Sequence, residues 1–185
     1  MIGCRYPEKG RFMAMTEREE LARLLLEEGV LSLTPHAFPP LRWDGQAALE
    51  KERVRSALLQ ALLELLDDHY HKAEALLGGS WAALLARETG LPLNPETVPP
   101  MALLVEDVLL DGESLLERAL PLRTSGVSIA TAVIFNYLQD SARAKLDRAD
   151  VRCHWLTDLE TAAAVALQCG LADFEEYDAI LSREY

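Results

Sequence analysis

Three apolar, β-rich runs separated by amphipathic helical stretches set the strongest limit on what this chain can fold into. Met101 to Val108, Val127 to Phe135 and Val151 to Leu156 are nearly continuous in hydrophobic residues, with helical patterns between them. A strand with one wet face alternates apolar and polar, so continuous runs predict strands covered on both faces. The fold class that follows is α/β, a twisted parallel sheet flanked by helices. Ligands in such folds bind beyond the carboxyl ends of the strands. Two turns qualify by composition, Gly78-Gly79-Ser80 and Leu110 to Ser114.

The remaining elements read as follows. Thr16 with Glu19 predicts a capping box, Leu21, Leu24 and Leu25 an inward stripe, and Gly29 a helix stop. Thr34 to Pro40 holds three prolines and predicts an irregular connection. One long amphipathic helix is expected over Gln46 to Tyr70, with Leu49, Val54, Leu58, Leu62 and Leu66 facing inward. Ala75-Leu76-Leu77 leads into Gly78-Gly79-Ser80 and a helix that stops at Gly90. Leu91 to Pro100, with four prolines, then connects to the Met101 run. Further helices are expected over Glu113 to Leu122 and Ser141 to Ala149. Two last ones begin in capping-box patterns, Thr157 with Glu160 and Asp173 with Glu176. The organisation is a single domain, 1–185: a tail at 1–15, a hood segment at 16–45, an α/β core at 46–150, and a last strand with C-terminal helices at 151–185. The N- and C-terminal segments together form the small hood.

Composition narrows the partners. Thirty acidic residues against 18 basic ones give a net charge of −12, which disfavours nucleic acid and anionic membranes. Any site for a phosphate-rich ligand must then rely on local groups. Cys4, Cys153 and Cys169 are odd in number and widely spaced, as expected of reduced thiols in a cytoplasmic protein. No apolar run reaches the roughly 18 residues of a membrane span. Met1 to Met15 has no apolar leader region, and Met13 and Met15 offer alternative starts.

Several segments, taken in order, resemble the orotate phosphoribosyltransferases, a family with the type I phosphoribosyltransferase fold. The opening helix Glu20 to Gly29 is similar to theirs. Leu77 to Leu93 is similar to their second strand-turn-helix, and Gly90-Leu91-Pro92-Leu93 matches its G-L-P-L ending. Ala102 to Ser114 aligns without a gap on their phosphoribosyl pyrophosphate (PRPP) motif, four apolar residues followed by D-D-V-I-T-T-G-G-S. Val151 to Tyr185 resembles their closing strand and acidic helices. The resemblance implies transfer of a phosphoribosyl group from PRPP to orotate in pyrimidine biosynthesis and a homodimer, with no certain cofactor but Mg²⁺ if the transfer is retained or the carboxylate turn binds a cation. It places the ligand-binding turn at Glu106, Asp107, Asp111, Gly112, Glu113 and Ser114, the pyrophosphate turn at Gly78, Gly79 and Ser80, and the base pocket at Asn136 and Tyr137.

The departures fall on the anion-binding positions. In the family, hydroxyls and backbone N–H groups at a helix N-terminus wrap the 5′-phosphate. Here the two threonines are Leu110 and Asp111, and the second glycine is Glu113. Each lost charge-assisted hydrogen bond removes roughly 1.5–3 kcal/mol. A carboxylate at ~4 Å from a phosphate costs on the order of 4 kcal/mol per unit charge at an effective dielectric near 20. The family's long basic loop, which carries a catalytic lysine, is replaced by the seven residues Asn94 to Pro100, with no Lys, Arg or His among them. The Asp-Arg pair that grips the orotate carboxylate is Asn136-Tyr137. No catalytic residue is therefore assigned. A diverged paralogue with weak or absent activity and a binding or regulatory role is expected. The alternatives are an active transferase aided by Arg42 or a partner subunit, and a structural subunit without ligand.

Other residues carry two readings each. The carboxylates of Glu106, Asp107, Asp111 and Glu113 read either as a Mg²⁺ or Ca²⁺ site or as a helix N-cap at Asp111 with a first-turn acid. Ser114 with Glu117 also fits a capping box. Ser80 reads as part of a pyrophosphate turn or as a helix cap. Asp67-Asp68-His69-Tyr70-His71 is expected to be a solvated helix end. His36 and His154 stand alone, and Trp43, Trp81 and Trp155 are expected in the core or an interface.

Overall fold

The structure, a computed structural model, describes residues 15–34, 39–137 and 140–182. The tail before residue 15, Cys4, His36 and the Thr16 side chain of the first capping box lie outside it. The element order is α1 (Met15–Glu27), β1 (Leu31–Leu33), β2 (Leu41–Trp43), α2 (Gly45–Glu50), α3 (Glu52–Tyr70), β3 (Ala75–Gly78), α4 (Ser80–Thr89) and β4 (Met101–Leu109). It continues with α5 (Glu113–Thr124), β5 (Ser128–Asn136), α6 (Asp140–Arg148), β6 (Arg152–Asp158), α7 (Leu159–Gln168) and α8 (Phe174–Leu181). The three apolar runs are indeed parallel strands, joined by β3 into a sheet of order β3-β4-β5-β6.

Each face of the sheet has its own core. Leu103, Val105, Ile134 and Leu156 pack under α1, α3, α4 and α7. Leu104, Ile129 and Val133 pack under α5 and α6 with Leu115, Ala119 and Leu146. Leu58 and Leu62 of α3 are essentially inaccessible, and burial of each contributes about 1.5–3 kcal/mol.

A single parallel bridge explains why α4 lies on the opposite face from α5 and α6. Leu93 pairs with Leu76, whose other neighbour is Leu103 of β4. Leu93 is therefore a one-residue strand on the outer edge of β3, held by Leu76 N–H to Pro92 O (2.9 Å) and Asn94 N–H to Leu76 O (2.8 Å). The chain leaves β3 outward through α4, then crosses back to β4 on the inner side. Right-handed crossovers in opposite directions place their helices on opposite faces. The strand order reverses between β3 and β4, the position at which doubly wound sheets open a ligand crevice.

Two sequence expectations need correction, and the hood holds strands that the sequence did not signal. The helix expected over Gln46 to Tyr70 is two helices, because Lys51 adopts an extended conformation (φ −77°, ψ 106°). Within the hood, Leu31–Leu33 and Leu41–Trp43 pair antiparallel, so the proline-rich connection joins two short strands. The N-cap of α7 is Asp158, which accepts from Thr161 N–H (2.9 Å), and not Thr157, which is buried at the end of β6. Asp173 and Glu176 do form the reciprocal capping box at α8.

Candidate functional site

The strand ends bring the two predicted turns to the switch point. At the first, β3 ends on Gly78 with φ +144°. A Cβ there would lie 2.5 Å from the Val105 carbonyl oxygen and 3.0 Å from Ala82 Cβ, so only glycine lets the chain turn under β4. Gly78 N–H donates to Asn94 Oδ1 (3.0 Å), and Asn94 Nδ2 donates to Gly78 O (2.9 Å). The Asn94 amide thus imitates a peptide group and extends the edge ladder of β3 by one rung. Asn94 reaches this position in the left-handed region, φ 42°, which Asn tolerates better than most residues. Ser80 does not cap α4: the N-cap is Gly79, with no side-chain hydrogen bond.

At the second turn, Glu106 and Asp107 project to opposite faces, as successive strand residues must. Glu106 forms an ion pair with Arg118 of α5. Burial pushes its carboxyl above the ordinary range, and Arg118 opposes that rise. Asp107 faces the hood, where its Oδ2 and the Trp43 indole nitrogen each lie 3.1 Å from the position of a Cβ on Gly45. Burial raises Asp107 too. The indole N–H pulls the other way, although its geometry falls short of a formed hydrogen bond.

Asp111 is not the N-cap of α5. That position is Gly112, at φ 77°. Asp111 sits one residue earlier and accepts the Glu113 N–H through Oδ1 (3.0 Å), a local turn closed by its own side chain. Glu113 Oε1 pairs with Lys145 Nζ of α6 at 2.8 Å. Ser114 lies exposed inside the first turn of α5 rather than at its cap. The four carboxylates therefore diverge toward Arg118, Trp43, a backbone N–H and Lys145. Among the described residues no group of three or more His, Cys, Asp and Glu is placed to hold a metal. The turn does not fit a protein-held cation.

The candidate base-pocket residues lie deep. Asn136 ends β5 and is buried. Tyr137 is 5% exposed, packs edge-on against Phe135 with ring centroids 5.0 Å apart, and donates its hydroxyl to the Leu41 carbonyl of β2. Burial pushes the Tyr137 phenol up to about 12. The ring occupies space under the hood and ties it to the sheet.

Comparisons with known proteins agree with this geometry. No protein-family model matches the chain. The orotate phosphoribosyltransferase of Coxiella burnetii is 24% identical over 86% of this chain and 91% of its own. Over most of its length the chain is similar to the orotate phosphoribosyltransferases. Among solved structures, the orotate phosphoribosyltransferase from Aeropyrum pernix superposes with a TM-score of 0.66 at 24% identity, over 81% of this chain and 99% of that one. The UMP synthase of Leishmania donovani gives a TM-score of 0.74 at 14% identity over 88% of this chain, which spans only 41% of that longer protein. The fold is that of the type I phosphoribosyltransferases.

Sequence reasoning missed Asn94, Trp43 and Asp158 as site-forming residues. Asn94 carried a faint signal, an asparagine isolated between Pro92 and Pro95, where a left-handed turn residue is favoured. Asp158 gathers Thr161 N–H, the Trp155 indole N–H (3.1 Å) and Arg18 (3.4 Å) at the end of β6.

Proposed function

We propose that this chain is a phosphoribosyltransferase-like protein in which transfer is weak or absent, and that it serves as a binding or regulatory paralogue. One observation carries the reading. At both candidate anion turns, a backbone N–H that an incoming phosphate needs already donates to the chain's own side chain, Gly78 to Asn94 and Glu113 to Asp111. A phosphate has to displace both acceptors and approach Asp111 and Glu113 with like charge. No Lys, Arg or His in Asn94 to Pro100 offsets that repulsion. A neutral or cationic ligand suits the half-buried Asp107 better. The homodimer, the cytoplasmic location and Mg²⁺ enter this reading through the family likeness alone.

A second reading, an active transferase making orotidine 5′-monophosphate, draws support from full-length similarity to enzymes of that name. It requires a cation from elsewhere, such as Arg42, which is exposed on β2. The two separate in one assay: orotate consumption with PRPP and Mg²⁺, run beside a true orotate phosphoribosyltransferase. Turnover indistinguishable from the protein-free control is expected. Sustained orotate loss that scales with protein concentration overturns the proposal in favour of the second reading.

A further inference from the structure

Away from the strand ends, α3 and β6 meet in a polar cluster that the candidate site does not use. Tyr70, the last residue of α3, is buried, and its hydroxyl donates to the Thr131 carbonyl of β5 at 3.1 Å. The same oxygen contacts Nδ1 of His154 in the middle of β6. A phenol has one proton. With that proton committed to Thr131, the Tyr70 oxygen accepts from His154, which places the hydrogen of the neutral imidazole on Nδ1. His69 stacks on the other side, its ring 4.3 Å from that of His154 and tilted by 21°. His154 is therefore not the isolated residue expected from sequence, and the end of α3 is not simply solvated.

Nothing in this setting welcomes a proton on His154. The groups acting on it are His69 of α3, Arg18 of α1 and Arg152 of its own strand, and each disfavours a positive charge on His154. Arg18 is itself engaged by Asp158. Tyr70 and Cys153, the other titratable neighbours, are both pushed upward by burial and stay neutral. Burial first, then His69 and the two arginines, lowers the imidazole from 6.5 to about 4.

We propose that His69, Tyr70 and His154 form an acid-sensitive latch between the C-terminal end of α3 and β6. With His154 neutral, its ring stacked on His69 and hydrogen-bonded to the Tyr70 phenol holds the helix end against the sheet. A proton on His154 puts a buried charge beside Arg18 and Arg152, and the helix end is released. The open form takes up the proton near 6.5 and the closed form near 4, so the latch is firm above pH 6.5 and weakens as pH falls through that window. Each pH unit inside the window shifts the closed-to-open ratio by about tenfold. The effect extends toward the sheet edge, because the Tyr70 carbonyl accepts from Ala73 N–H at 2.8 Å and β3 begins two residues later.

Amide hydrogen exchange on the full chain at pH 7 and pH 5, corrected for intrinsic rates, tests this. Protection in the last turn of α3 should fall by about twentyfold at pH 5 relative to α7. His154→Asn places an amide near the Nδ1 position and gains no proton, so its α3 protection should be the same at both pH values. Equal protection in the wild type, or the same fall in His154→Asn, overturns the latch. Should that variant not fold, an imidazole nitrogen NMR titration of the wild type decides. An Nδ1–H tautomer titrating below pH 5 supports the latch, and titration near 6.5 removes it.

Discussion

At the scale of single residues, three side chains decide how the strand ends differ from an open anion site. Asn94 and Asp111 occupy backbone donors, and Tyr137 fills the space beneath the hood. Asp111→Ala should cost only about 0.5–1 kcal/mol in urea unfolding, because it removes one exposed local hydrogen bond. The same change removes a like charge and frees the Glu113 N–H, so affinity for inorganic phosphate should rise. Gly78→Ala should be far worse. A Cβ 2.5 Å from Val105 O at φ +144° combines a clash with backbone strain of about 1–3 kcal/mol, visible as a large fall in Tm. Tyr137→Phe leaves the Leu41 carbonyl without its hydroxyl donor and should cost about 1–3 kcal/mol. The pH sign for Tyr137 is the reverse of that for His154. A folded phenol raised to about 12 contributes stability that is complete below pH 10 and lost as pH rises toward 12. Its phenolate absorbance should appear only with alkaline unfolding.

Elements show where sequence signals suffice and where they fail. The strands were legible because buried parallel strands need continuous apolar runs, and the α8 cap because Asp173 and Glu176 satisfy each other within three residues. The break at Lys51 was not, since lysine is a good helix former and the apolar period runs through it. The hood strands were not either. Three-residue strands beside prolines carry no periodicity. Asp158 was missed because its partners include Arg18, 140 residues away. The two α7 and α8 caps should accordingly differ in cost. Asp173→Ala removes an exposed capping box and should lower stability by about 1 kcal/mol. Asp158→Ala strips the same kind of cap together with a half-buried indole bond and the Arg18 ion pair, and should lower it by about 3 kcal/mol. Guanidinium unfolding of the two variants side by side checks the contrast.

For the molecule as a whole, family resemblance and site chemistry diverge. The doubly wound sheet keeps the switch point between β3 and β4, and the apolar half of Ala102 to Ser114 forms the strand that borders it. The outer strand is reduced to Leu93, and the seven residues after it bridge to β4 without a cation. Asn94 sits where that shortening leaves an unpaired rung, closing a sheet edge that is otherwise prone to pairing with other chains. A scaffold that closes its own edge and turns in this way suits the proposed non-catalytic role. The Gly78 and Glu113 amides report on this most directly, through their NMR signals during titration with PRPP and Mg²⁺. The closed-turn account predicts that both resonances stay in place up to millimolar PRPP. Saturable shifts at both amides would contradict it, because they would show phosphate displacing Asn94 and Asp111 from the donors they hold.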